Sequence, residues 1–120
     1  MTRGHAVLMT AVVLLASCGS SVDRGQRLYA QHVCAVCHGP AGKGDGPTAP
    51  RLDFPPRDFA DRRAYRNGPG PDAIAASIRS GSGPRGAMPA FRDLTDAELR
   101  DLAGWIVSRQ SAGASPRASQ

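Results

Sequence analysis

The stretch CAVCH, Cys34 to His38, sets two thiols three positions apart and an imidazole directly after them. On one helical turn these side chains project from a single short arc of backbone. Any fold built around them must leave space for what they hold. The chain has little else to build on, with one Trp, two Tyr and three Phe among 120 residues. A domain with so thin an apolar core needs a staple such as a disulfide, a metal or a cofactor.

The ends of the chain narrow its setting. Arg3 precedes AVLMTAVVLLA, Ala6 to Ala16. As a helix that run spans about 16 Å, half of a bilayer core. Residues 1–17 therefore read as an export signal rather than a membrane span or a core helix. The signal ends in LASC, Leu15 to Cys18, which resembles the lipobox of bacterial lipoproteins, where the cysteine is acylated. Acylation also accounts for an otherwise odd thiol in an exported protein. The expected organisation is a signal over 1–17, a lipid-anchored tether over 18–22, a folded domain over 23–110 and a disordered tail over 111–120. The tail, SAGASPRASQ, is small, polar and without periodicity. The expected location is the periplasmic face of a membrane, held through Cys18, with inner and outer membrane both open.

Three helices are predicted within the domain. The first runs from Asp23 to Cys37, with Asp23 as N-cap and Gly25, Tyr29 and Val33 on one face. PDAIAASIRSG makes the second, with Pro71 in its first turn, Ile74 and Ile78 one turn apart and Gly81 as its stop. LTDAELRDLAGWIVSRQ makes the third: Thr95 and Glu98 form a capping box, and Leu99, Leu102, Trp105 and Ile106 an apolar stripe. Residues 39–56 hold four glycines and five prolines. No segment alternates with period two, so the expected fold class is all-α.

Several chemistries compete for CAVCH. Structural zinc wants four ligands, commonly two such half-sites; His32 and His38 flank the same pair, and no second half-site exists. A thioredoxin-like dithiol belongs at a helix N-terminus after a strand, whereas this pair ends a helix. The glycine run GPAGKGDGP follows no strand and lacks G-K-[ST], so it reads as a flexible turn rather than a phosphate cradle. Covalent haem attachment remains. Two thiols on one turn reach the two vinyl groups along one side of a porphyrin, and the adjacent histidine reaches the iron. Such attachment takes place outside the bacterial cytoplasm, in agreement with the export signal.

Taken together, CAVCH at 34–38, GAMPAF at 86–91 and the helix from Asp96 to Gln110 resemble, in that order, the class I monohaem c-type cytochromes of bacteria. The resemblance covers Asp23 to Gln110 and implies a small helical domain wrapped around one haem c with its iron. Cys34 and Cys37 would form the thioethers and His38 the proximal ligand. Met88 stands 50 residues after His38 and is the one methionine outside the signal. It is the soft donor available as the second axial ligand, since His32 is expected to share a helix with the attachment motif. The family also uses a proline carbonyl to accept from the proximal imidazole, a role for which Pro47 and Pro50 compete. Leu52, Arg57 and Tyr65 are further candidate haem surroundings, with an arginine of FPPRDFADRRAYR beside Tyr65 meeting a propionate.

The function expected is one-electron transfer, without a catalytic constellation that would make the chain an enzyme. One alternative is a haem enzyme, or a gas- or peroxide-responsive protein in which Met88 is displaced. Another is a cytochrome subunit dedicated to one membrane oxidoreductase. The formal charge of +5 loses Arg3 with the signal and is partly offset by haem propionates, which speaks against nucleic-acid binding. The expected partners are a redox donor and acceptor, with basic residues steering an acidic docking surface.

Overall fold

The computed structural model describes residues 19–112. The expected signal, Cys18 and most of the expected tail lie outside the described residues. Helix α1 spans Ser21–Gln31 and is opened by a reciprocal cap: the Asp23 N–H donates to Ser20 Oγ at 3.1 Å, and the Ser20 N–H donates to the Asp23 carboxylate at 3.0 Å. Asp23 is thus the third helical residue rather than the N-cap expected from its type. Arg24 ties the start down further, donating to the Gly19 carbonyl at 2.7 Å.

The first helix expected from the sequence is two helices. α1 ends at Gln31, and α2, Ala35–His38, is a single turn. Between them Val33 takes φ 51°, a left-handed conformation that is unusual for a β-branched residue. The Cys34 N–H then reaches back to the Tyr29 carbonyl at 3.2 Å, one residue further than an α-helix allows. No glycine or proline marks this break.

Helix α3, Pro71–Ser80, follows the sequence closely, with Pro71 in its first turn, Ile74 and Ile78 buried, and Gly81 at φ 80° ending it. α4, Asp96–Ala112, opens on the expected capping box: the Glu98 N–H donates to Thr95 Oγ1 and the Thr95 N–H to the Glu98 carboxylate. It runs two residues into the segment expected to be tail. Three single-turn 3-10 helices, Ala49–Arg51, Arg62–Ala64 and Pro84–Gly86, punctuate the loops. The extended pairing among the described residues is one isolated bridge, Ser82 with Met88. The fold is all-α.

α4 is the axle, packed against both α1 and α3. It meets α1 backbone to backbone: a Cβ at Gly25 would lie 2.0 Å from the Asp101 carbonyl oxygen and 2.8 Å from Trp105 Cβ. That approach brings Tyr29 and Trp105 to a ring separation of 4.3 Å and lets Arg24 pair with Asp101 at 2.7 Å. Leu99, Leu102, Trp105 and Ile106 are all at most 5 % exposed, so the whole apolar stripe of α4 is buried. An exposed Arg79–Asp96 ion pair joins the end of α3 to the start of α4.

Gly25→Ala is expected to destabilise the folded protein by about 3 kcal/mol or more, because the obstruction is backbone that cannot rotate away. Thr95→Ala, which removes only a cap, should cost about 1 kcal/mol. Chemical denaturation of both variants beside the parent measures the difference. The cap hydrogen bonds hold the Asp23 and Glu98 carboxyls below their ordinary range. Their stabilisation is therefore present above the unfolded carboxylate pKa and fades as pH falls through the lowered folded values.

Candidate haem site

The site begins with α2. Its single turn places Cys34, Cys37 and His38 on the wall of an apolar cavity of about 670 Å³. The glycine run after it is a packed strap and not the flexible turn expected. The Gly44 N–H donates to the His38 carbonyl at 2.8 Å, the Gly46 N–H to Cys37 at 3.0 Å and the Thr48 N–H to Val36 at 3.1 Å. Close approach explains the glycines: a Cβ at Gly46 would lie 2.3 Å from the Val36 carbonyl oxygen, and one at Gly42 2.2 Å from the Phe59 ring. Tyr29 closes the arrangement, its hydroxyl donating to the Gly39 carbonyl at 2.5 Å.

His38 is held on two sides. Its Nδ1 lies 3.3 Å from the Arg57 carbonyl oxygen. A carbonyl only accepts, so the proton sits on Nδ1 and Nε2 keeps its lone pair. The ring also lies against Phe59, with centroids 4.8 Å apart and planes 30° from parallel. Burial lowers the imidazole pKa, opposed in part by the Arg57 carbonyl, which keeps the neutral, metal-binding form available. The acceptor expected at Pro47 or Pro50 is instead Arg57. Neither proline lines the cavity; both are exposed, in the segment that the strap hydrogen bonds tie to α2. The chain returns over His38 later, with the Phe59 N–H on the Gly42 carbonyl at 2.8 Å.

Met88 lines the same cavity. Two hydrogen bonds with Ser82, at 2.9 and 3.1 Å, pin its backbone on both sides. The intervening loop turns through positive φ at Gly83, Arg85 and Gly86. Leu52, Arg57 and Tyr65 also line the cavity, and Ile74, Ile78, Leu102 and Ile106 supply apolar wall from α3 and α4. His32 was not expected at the site, yet it is there. The break at Val33 separates it from the helix of His38, and its ring meets that of Phe91 edge to face at 6.2 Å. The missed signal was the Val33 conformation, which side-chain periodicity does not report.

These donors suit a large, flat, mostly apolar cofactor. Native interiors hold few voids larger than a water molecule, so a cavity of this size and lining is a binding space. Cys34 and Cys37 are free thiols, and burial pushes the Cys34 thiol up to about 11, which argues against a reactive dithiol. Among the described residues no cluster of three or more His, Cys, Asp or Glu could hold a bare metal ion. The donors instead line a cavity, as the sites of a porphyrin's edge and centre require.

Residues 20–106 match the family described as cytochrome c oxidase, cbb3-type, subunit III. The chain belongs to this family of c-type cytochromes. Among solved structures it is similar to a chain of the Kuenenia stuttgartiensis reducing HAO-like protein complex, with 26 % identity and a TM-score of 0.65. That likeness covers 74 % of this chain and 43 % of the other, so the cytochrome spans less than half of its neighbour's length. No curated protein matches the chain. Membership carries haem c with its iron as the cofactor.

Gly42 tests how tightly the strap holds the histidine. Its φ of +73° and its contact with Phe59 both oppose a side chain. Gly42→Ala should cost about 1–3 kcal/mol and move the Phe59 ring off His38. Denaturation together with the ring-current shifts of the His38 protons reads both effects.

Proposed function

We propose that this c-type cytochrome is a one-electron carrier with a single, covalently held haem, ligated by His38 and Met88. It works as a subunit or close partner of a membrane oxidoreductase. The observation that carries the reading is that Cys34, Cys37, His38 and Met88, gathered from two distant parts of the chain, line one apolar cavity. When bound, haem c supplies a one-electron iron couple. Cys34 and Cys37 would hold it by thioethers. His38 offers Nε2 with its tautomer set by Arg57, and Met88 offers a thioether sulfur from a loop pinned by Ser82.

Two protein ligands leave no position for a substrate, which favours transfer over catalysis. The pinned Met88 backbone favours a resident ligand over a displaceable one. His/Met ligation is expected to place the potential above that of other axial pairs. The Arg57 guanidinium, beside Tyr65 at the cavity wall, suits a haem propionate. The oxidoreductase setting is suggested by the family's description as an oxidase subunit and by the neighbour's place in a redox complex. Export and acylation at Cys18 would hold the domain at the periplasmic face of a membrane. α1 begins three residues after that cysteine, leaving little slack. Basic residues near the haem edge would meet an acidic surface on the donor or acceptor.

Expression with haem-maturation machinery tests the site. Cys34→Ser and Cys37→Ser should each retain haem through one thioether, and the double variant should lose all denaturation-resistant haem. Met88→Ala should abolish the methionine–iron charge-transfer band and lower the potential, whereas His32→Ala should keep the band. A five-coordinate resting spectrum with Met88 intact would sink the carrier reading. Intact-mass analysis of the mature N-terminus decides acylation: two or more acyl chains on Cys18 are expected, and an unmodified cysteine would remove the anchor.

A further inference from the structure

Arg57 enters the site twice. Its carbonyl oxygen faces His38 Nδ1, and its guanidinium turns back along its own segment, where Nε donates to the Ala64 carbonyl at 2.7 Å. The guanidinium carbon also lies 4.9 Å from the centre of the Tyr65 ring. Tyr65 is buried, and its hydroxyl donates to the Phe59 carbonyl at 2.7 Å. Phe59 is the residue whose ring lies on His38. Residues 57–65 therefore form a loop closed by one side chain from each end, and both closures bear on the same imidazole.

The cation itself is costly where it stands. Among the described residues no carboxylate pairs with Arg57, and burial lowers its guanidinium pKa. The residues before it explain why a side chain is needed. Pro55 and Pro56 have no N–H to donate, so the two residues before Arg57 add no mooring to the one that the Phe59 N–H makes further on, at the Gly42 carbonyl. The Nε bond and the stack on Tyr65 moor Arg57 itself.

We propose that Arg57 is the positioning residue of the axial histidine: its side chain clamps its own carbonyl onto His38 Nδ1. This rests on His38 being the iron ligand. The clamp holds the ring's rotation and tautomer and raises its strength as a donor, as outer hydrogen bonds to ligating histidines do. A stronger donor favours the oxidised iron and lowers the potential. The guanidinium charge acts in the opposite direction, since a nearby cation favours the reduced state. Lysine separates the two effects, because it keeps the charge but cannot reproduce the planar fork or the stack.

The test uses the full-length holoprotein and two readouts, an equilibrium redox titration and hydrogen exchange of His38 Nδ1–H by NMR in the ferrous state. Arg57→Lys is expected to shift the potential upward and to speed that exchange about tenfold or more, with the methionine–iron band retained. Tyr65→Leu, which removes the stacking surface while leaving Arg57 in place, should move both readouts the same way and serves if the lysine variant fails to assemble. Unchanged potential and exchange in Arg57→Lys would overturn the proposal and reduce Arg57 to a charge. A His38 ring signal without haem-induced shift in the parent would instead overturn the ligand assignment on which the proposal rests.

Discussion

The contact between the backbones of α1 and α4 at Gly25 sets the geometry of everything else in this domain. Because no side chain separates the helices there, Tyr29 and Trp105 stack at 4.3 Å. From that stack the Tyr29 hydroxyl reaches the Gly39 carbonyl, so the strap that follows CAVCH is referenced directly to the helix crossing. Phe59 then fits edge-on to both Tyr29 and Trp105 while facing His38. His38 is thus one ring away from the helix crossing at the centre of the fold.

Around that centre the protein uses backbone rather than bulk to build its site. The strap binds α2 through consecutive carbonyls, and the Met88 loop is closed by a two-bond bridge to Ser82. With so few large side chains available, cavity walls come from α3, α4 and the loops, and the cofactor itself is expected to complete the core. This is the staple that a domain of this size requires. It also explains why an apolar space of about 670 Å³ is present in so small a chain.

Much of this was legible beforehand. The α3 and α4 helices carry their own punctuation, Pro71 and Gly81 for one and Thr95 with Glu98 for the other, and these signals act locally. The expected set of Cys34, Cys37, His38 and Met88 lines one cavity, with Leu52, Arg57 and Tyr65 among its walls. The break at Val33 was not legible, because the residues from His32 to Cys34 contain no helix breaker and the left-handed turn serves the packing of the site. The place of His32 in the cavity follows from that break and was missed with it. The assignment of the histidine's acceptor to Pro47 or Pro50 failed for a related reason. Which carbonyl crosses a ring depends on how a loop returns, and the glycine strap sends those prolines outward.

The sequence by itself determined the chemistry: two thiols and an imidazole on one turn, one methionine among the described residues, and helices with readable caps. Those are properties of residue type and short spacing, and they survive without knowledge of the rest of the chain. The tertiary structure decided which groups face one another. It made Arg57 the partner of His38, turned a glycine run into a strap and brought His32 to the cavity. Each of these depends on close backbone approach between segments distant in sequence, where a single Cβ decides whether two chains can touch.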